Sequence, residues 1–238
     1  MTITDAQRSG TIQRVPFRQH VQSLQWEQGQ HILICAPTGA GKTTFVRPLL
    51  EKRSHVVNLV TKIHDDAFRK EYKGWTIIRE WPPSRFDSHV LLWPKPGKTL
   101  TETLQRQRAV IRHALNEIGR GRGWCVTVDE AHYTTDPHYL GLGKEVAILH
   151  HQGRSSGISV VNLSQRPAWI PKIIYSSVSH AYIAKTKDRN DLKRLSDLSG
   201  VDGDELARDV RSMPSKYDYA YVDTQTDGTS AVMLNSRR

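Results

Sequence analysis

Ala36-Pro-Thr-Gly-Ala-Gly-Lys-Thr43 decides the fold, because the apolar run His31-Ile-Leu-Ile-Cys35 precedes it and a helical stretch from Thr43 to Lys52 follows. Strand, glycine loop and helix in that order form a phosphate-binding unit. Glycines let backbone N–H groups turn inward around phosphates, Lys42 reaches the β- and γ-phosphates, and the Thr43 hydroxyl can hold Mg²⁺. The candidate nucleotide-binding residues are therefore Pro37, Thr38, Gly39, Ala40, Gly41, Lys42, Thr43 and Thr44. Ala36 stands where the pattern usually has a first glycine, which requires its φ to be negative.

A second stretch, Trp124-Cys-Val-Thr-Val-Asp-Glu130, reads as an apolar strand ending in two carboxylates. Asp129 suits the second shell of Mg²⁺, and Glu130 can orient or deprotonate an attacking water. The two stretches together imply a nucleoside-triphosphate hydrolase that uses Mg²⁺. A pure nucleotide switch has little need of Glu130, which weighs against a non-enzymatic nucleotide-dependent binding module.

Length and charge bound the rest. A chain of 238 residues can bury one sizeable α/β core, so residues 21–238 are expected as a single domain. Lys and Arg total 34 against 24 Asp and Glu, and the net charge of +10 favours an anionic partner such as nucleic acid. No apolar run approaches the roughly 20 residues of a membrane span, and Met1 to Gly10 lacks the core of a secretory signal. Cys35 and Cys125 fall in predicted core strands, which fits buried thiols better than a disulfide. His150 and His151 are adjacent and point about 100° apart on a helix, so they do not form a ligand pair.

Residues 1–20 are polar, carry Arg8, Arg14 and Arg18, and read as a mobile arm. From His31 onward, strands are predicted near 31–36, 55–61, 75–79, 89–93, 124–129, 158–163 and 179–184, and helices near 42–53, 100–118, 142–153 and 188–199. That alternation implies a parallel sheet with helices on both faces, which binds ligands at the carboxyl ends of its strands. Thr99 and Glu102 form a capping box for the 100–118 helix, and Gly119 reads as its stop. Arg106, Arg108 and Arg112 read as a solvated face or a basic strip for phosphates. The segment Ala131 to Tyr139, directly after Glu130, reads as a loop, or as a helix cap at Asp136-Pro137. From Lys216 the chain alternates, turns at Thr226-Asp-Gly228 and resumes at Ala231-Val-Met-Leu234, a C-terminal β-hairpin.

A third motif, Ser164-Gln-Arg-Pro167, follows the strand Gly157-Ile-Ser-Val-Val-Asn-Leu163 and a helix ending Gly153-Arg-Ser-Ser-Gly157. With it, the chain from about Gln28 to Gly200 resembles the FtsK/HerA superfamily of DNA-translocating ATPases. The resemblance implies a RecA-like P-loop NTPase fold, a homo-oligomeric ring, commonly a hexamer, with ATP between subunits, and double-stranded DNA gripped without sequence specificity by pore loops such as the segment after Glu130. It further implies that Gln165 senses the γ-phosphate and that an arginine, Arg154 or in reserve Arg166, acts in the neighbouring subunit's site. The absence of added domains makes the chain similar to small genome-packaging ATPases of membrane-containing icosahedral viruses. That likeness implies a capsid or vertex protein as partner and a location in the host cytoplasm or on the virion. The rival within the same fold is an ATPase that drives virion or cell-surface morphogenesis or protein export.

Overall fold

Short, mostly apolar runs make the strands and longer mixed segments make the helices in the computed structural model, which describes residues 14–198, 201–225 and 232–235. Strand β1 (Arg14–Pro16) and helix α1 (Phe17–Ser23) lead to β2 (Ile32–Cys35) and α2 (Lys42–Leu50). Then follow β3 (Val56–Leu59), α3 (Asp66–Glu71), β4 (Thr76–Ile78), β5 (His89–Leu92) and α4 (Leu100–Arg120). Next come β6 (Cys125–Val128), α5 (Ala131–Thr135), α6 (Gly143–Ser156), β7 (Ser159–Ser164), α7 (Lys172–Ser177) and β8 (His180–Ala184). The chain closes with α8 (Arg189–Arg194), α9 (Gly203–Ser212), β9 (Asp218–Asp223) and β10 (Val232–Asn235).

These elements fall into two compact units that alternate along the sequence: residues 1–26, 32–42 and 164–238 in the first, 27–31 and 43–163 in the second. The first has strand order β1-β10-β9-β8-β2, with β2 parallel to β8 and β9 antiparallel to both β8 and β10. The second has order β7-β6-β3-β5-β4, and every pairing in it is parallel. Mostly parallel strands with a C-terminal hairpin are the α/β architecture expected from the sequence. The hairpin's turn at 226–228 lies outside the described residues. Both cysteines are buried and neither is in a disulfide, and burial pushes the Cys125 thiol up to about 12.

Three expectations are corrected. Of the segment read as an arm, residues 1–13 lie outside the described residues. Residues 14–20, however, form β1, paired in parallel with β10, and the first turn of α1, where Phe17 and His20 are buried. The 100–118 helix runs on to Arg120 and is closed by Gly121, whose N–H meets the carbonyls of Glu117 and Ile118. Gly119 instead permits close packing, since a Cβ there would lie 3.3 Å from Leu149 Cδ2. The arginines of α4 keep the expected solvated face, with Arg106 and Arg112 exposed, and each also makes a contact of its own. Arg106 donates to the Pro96 carbonyl (3.1 Å), Arg108 to those of Tyr139 and Leu140 (2.6 and 2.8 Å), and Arg112 pairs with Glu145 (2.9 Å). Finally, Ala131–Thr135 is helix α5, and Asp136 ends it rather than starting the next.

The capping box is realised in modified form. Thr99 accepts from the Glu102 N–H (3.1 Å), while the Glu102 carboxylate accepts from the Lys98 N–H (2.8 Å).

In the second unit two buried imidazoles pack with their rings tilted by 59° and 4.5 Å between ring centres. The Val160 N–H donates to His31 Nδ1 (3.0 Å), so His31 Nε2 carries the proton and donates to the His150 carbonyl (3.2 Å). Asn162 Nδ2 donates to His150 Nε2 (3.0 Å), which assigns the other tautomer to His150. Burial pulls His31 down to about 4, and burial together with His31 pulls His150 down to about 3. Folded values below the unfolded 6.5 mean stability fully present above pH 6.5 and lost as pH falls towards 4 and then 3. Lowering pH from 7.5 to 5 should remove about 2 kcal/mol per histidine, about 4 kcal/mol together. Urea titrations at the two pH values check this. A midpoint that falls by roughly 1–2 M supports the buried neutral pair, and an unchanged midpoint contradicts it.

Candidate functional site

The phosphate loop leaves the carboxyl end of β2 in the first unit. Ala36 is buried and its N–H donates to the Ser164 carbonyl (3.0 Å), which fixes where the loop begins. No described non-glycine residue has a positive φ, so Ala36 meets the condition its substitution for glycine imposes. Gly39 and Gly41 take φ of +76° and +82° with nothing within 4 Å of where a Cβ would stand. Backbone conformation, not crowding, therefore requires glycine at both. The Ala40 N–H closes a turn on the Pro37 carbonyl (3.2 Å), and the buried Tyr219 hydroxyl donates to the Ala40 carbonyl (3.0 Å). The Lys42 amine folds back onto the Ala36 carbonyl (2.5 Å), across the loop.

Gln165 follows β7 directly, and its Oε1 accepts from the Thr38 hydroxyl at 2.9 Å. The third motif is thus joined to the first. Arg166 lies in a clasp: its Nε donates to both Asp191 oxygens (3.2 and 3.3 Å), its Nη2 pairs with Asp188 (2.6 Å), and its guanidinium stands 5.3 Å from the Trp169 ring centre. Hydrogen bonds to Asp191 raise the Arg166 pKa further. An arginine held by two carboxylates of its own chain is poorly disposed to reach a neighbour.

In the second unit, β6 delivers Asp129, which is 8% exposed, and Glu130, the residue before α5. Lys62, after β3, shares their field. Burial opposes its charge, yet a hydrogen bond to Asp65 (2.7 Å) and the carboxylates Asp129, Asp65 and Glu130 outweigh this and raise its pKa. Tyr72, also buried, has its hydroxyl pKa raised by desolvation first and then by the carboxylates Asp129 and Glu71. At the helix α2 end, the Thr44 hydroxyl donates to Glu71 (2.9 Å), and Thr43, half-buried, stands in the first turn. The segment after Glu130 is anchored by buried Gln107, which donates to the Thr61 carbonyl (2.6 Å) and accepts from the Tyr133 hydroxyl (3.2 Å). Lys62, Gln107, Asp191 and Tyr219 carry no motif, so sequence reading passed over them.

Arg154 occupies the last turn of α6, also in the second unit. Gly29, at φ +89°, packs on its backbone, where a Cβ would come within 2.9 Å of Arg154 Cα and O. Gly157 ends the helix at φ +63°, and its carbonyl accepts from Gln28 Nε2 at 2.5 Å. The backbone is fixed, while the exposed guanidinium makes no hydrogen bond or ion pair among the described residues.

A glycine loop between a buried parallel strand and a helix, in a mostly parallel α/β sheet, is the fold of P-loop NTPases. Solved structures with this fold include the DNA-packaging ATPase B204 from Sulfolobus Turreted Icosahedral Virus, with a TM-score of 0.59 and 16% identity over 87% of this chain and 98% of that one. The genome packaging NTPase B204 from Sulfolobus turreted icosahedral virus 2, in complex with ATP-gammaS, gives 0.57 and 16% over 86% and 95%. The pCW3 conjugation coupling protein TcpA gives 0.51 and 16% over 87% of this chain and 60% of that one. No family model matches the chain, and no curated protein is similar to it in sequence.

Proposed function

We propose that the chain is an ATP-driven translocase of double-stranded DNA, the motor that moves a viral genome into a preformed capsid. The observation that carries this reading is the Thr38–Gln165 hydrogen bond, which brings the strand-end glutamine to the phosphate loop. The net charge of +10 and the near-complete coverage of the viral packaging ATPase B204 support DNA as the cargo. No described helix is long and apolar enough to cross a membrane.

The residues fit a nucleotide. Gly39 and Gly41 leave open space beside a turned backbone, and the Lys42 amine is already within the loop. ATP would supply the phosphoanhydride, and Mg²⁺ would supply positive charge to offset that of its oxygens. Lys42 would exchange a carbonyl for phosphate oxygen, and the Thr43 hydroxyl and Asp129 are the residues that would hold the cation. Glu130 takes the proton of the attacking water, and Gln165 orients that water against the γ-phosphate. Arg154, exposed on a fixed helix end, serves the neighbouring subunit of a ring, a hexamer in this reading, so hydrolysis depends on assembly. A capsid or vertex protein holds the ring at the shell, in the host cytoplasm or on the virion.

Unrelated duplexes should bind with similar affinity and stimulate hydrolysis, and log affinity should fall with log salt at about −0.9 per phosphate contact. Titrations at several salt concentrations, read beside turnover, check this. Substituting His132 and Lys144 should lower DNA stimulation more than basal turnover. Turnover indifferent to DNA would favour the protein-moving alternative, whose fold is also that of the Thermomonospora curvata Type VII Secretion ATPase EccC (TM-score 0.52, 15% identity, 90% of this chain and 26% of that one).

A further inference from the structure

Gln165 is fixed from both sides within the first unit. Before it, the Ser164 carbonyl accepts from Ala36 N–H (3.0 Å), and the Ser164 hydroxyl donates to the Arg166 carbonyl (3.1 Å). After it, everything converges on Asp191. This carboxylate on α8 is 3% exposed, and burying such a charge costs heavily unless its oxygens are satisfied. Oδ1 accepts from the Ala168 N–H (3.1 Å) and from Arg166 Nε (3.3 Å). Oδ2 accepts from the Thr186 hydroxyl (3.2 Å) and from Arg166 Nε (3.2 Å). Asp188 completes the clasp on Arg166 and caps α8 by accepting from the N–H groups of Asn190 and Asp191 (2.9 and 3.2 Å). Arg194, from the same helix, donates to the Ile170 carbonyl (2.8 Å).

We infer that Asp191 is a positioning residue for ATP hydrolysis, holding the turn 165–168 so that the Gln165 amide stays against the phosphate loop. The inference rests on the proposed role of Gln165. Its physical basis is that two charge-assisted contacts and one backbone contact grip the residues one and three places after Gln165. A displacement of about 1 Å in a group that orients water costs about a hundredfold in rate. Asp191 touches neither loop nor nucleotide itself, so its effect belongs in kcat and not in KM.

The test is a double-variant cycle on the full chain with ATP and Mg²⁺. Asp191→Asn, which keeps the shape and loses the charge, should lower kcat about 10- to 100-fold with KM for ATP within about twofold. Asp191→Glu, which keeps the charge, should recover part of the loss. In a Gln165→Ala background Asp191→Asn should cost nothing further, because both changes remove the same function. Amide exchange should quicken at Ala168 in Asp191→Asn while β2 and β8 stay protected. Multiplying losses, a KM effect in place of a kcat effect, or unchanged exchange at Ala168 would overturn the inference. If Gln165→Ala alone leaves turnover intact, the proposed role of Gln165 fails first, and exchange at Ala168 separately reports whether the clasp exists.

Discussion

Glu130→Gln should bind ATP and Mg²⁺ as the parent does and hydrolyse about 10²- to 10⁴-fold more slowly, the usual cost of removing a general base. The amide keeps the size of the carboxylate and loses only its capacity to accept a proton. Asp129 stays in place to serve the cation, so nucleotide affinity is preserved. Lys42→Ala gives the contrasting pattern: loss of the one amine that lies across the loop should weaken binding itself. Fluorescent-nucleotide titration beside single-turnover hydrolysis separates the two. Normal turnover in Glu130→Gln would show that its role is misassigned.

Arg154→Ala should lower turnover about 10³-fold if its guanidinium acts across a subunit interface. The informative measurement mixes it with Lys42→Ala. Each variant alone lacks one half of every site, but a mixed ring contains interfaces where an intact Lys42 meets an intact Arg154 from the neighbour. With equal amounts, half of the subunits offer each group, so roughly a quarter of the interfaces should be complete and activity should return in proportion. A cation acting only within its own chain gives no rescue, because neither subunit holds both groups. Co-assembly is checked by native mass measurement. Silence in a demonstrated mixed ring would return Arg154 to a role in ending α6.

The strands were legible because their runs are short, apolar and buried. Ile32–Cys35, Val56–Leu59 and Cys125–Val128 are close to fully buried, and their predicted bounds fall within two residues of those observed. The phosphate loop was legible because its glycines are set by local backbone conformation. Elements of one or two turns were not. Helix α3 has six residues, too few to show a period, although Asp65 caps it by accepting from the Phe68 N–H (2.8 Å). Helix α5 was missed because Asp136-Pro137 reads as the start of a helix. In fact the Leu140 and Leu142 N–H groups return to Tyr133 and Thr134 and close α5 behind it. Helix α9 did carry a readable signal, an Asp202 cap with Leu206 and Val210 one turn apart. The Arg166 clasp gave none, since its carboxylates lie 22 and 25 residues further along the chain.

The central claim, that hydrolysis drives movement along double-stranded DNA, is tested most directly by displacement of a third strand. A triplex-forming oligonucleotide is annealed to a duplex, and its release is followed after the chain, ATP and Mg²⁺ are added. Release should need ATP, rise with the length of duplex available for loading, and disappear in Glu130→Gln. Hydrolysis stimulated by DNA with no release of the third strand under any of these conditions would contradict the claim.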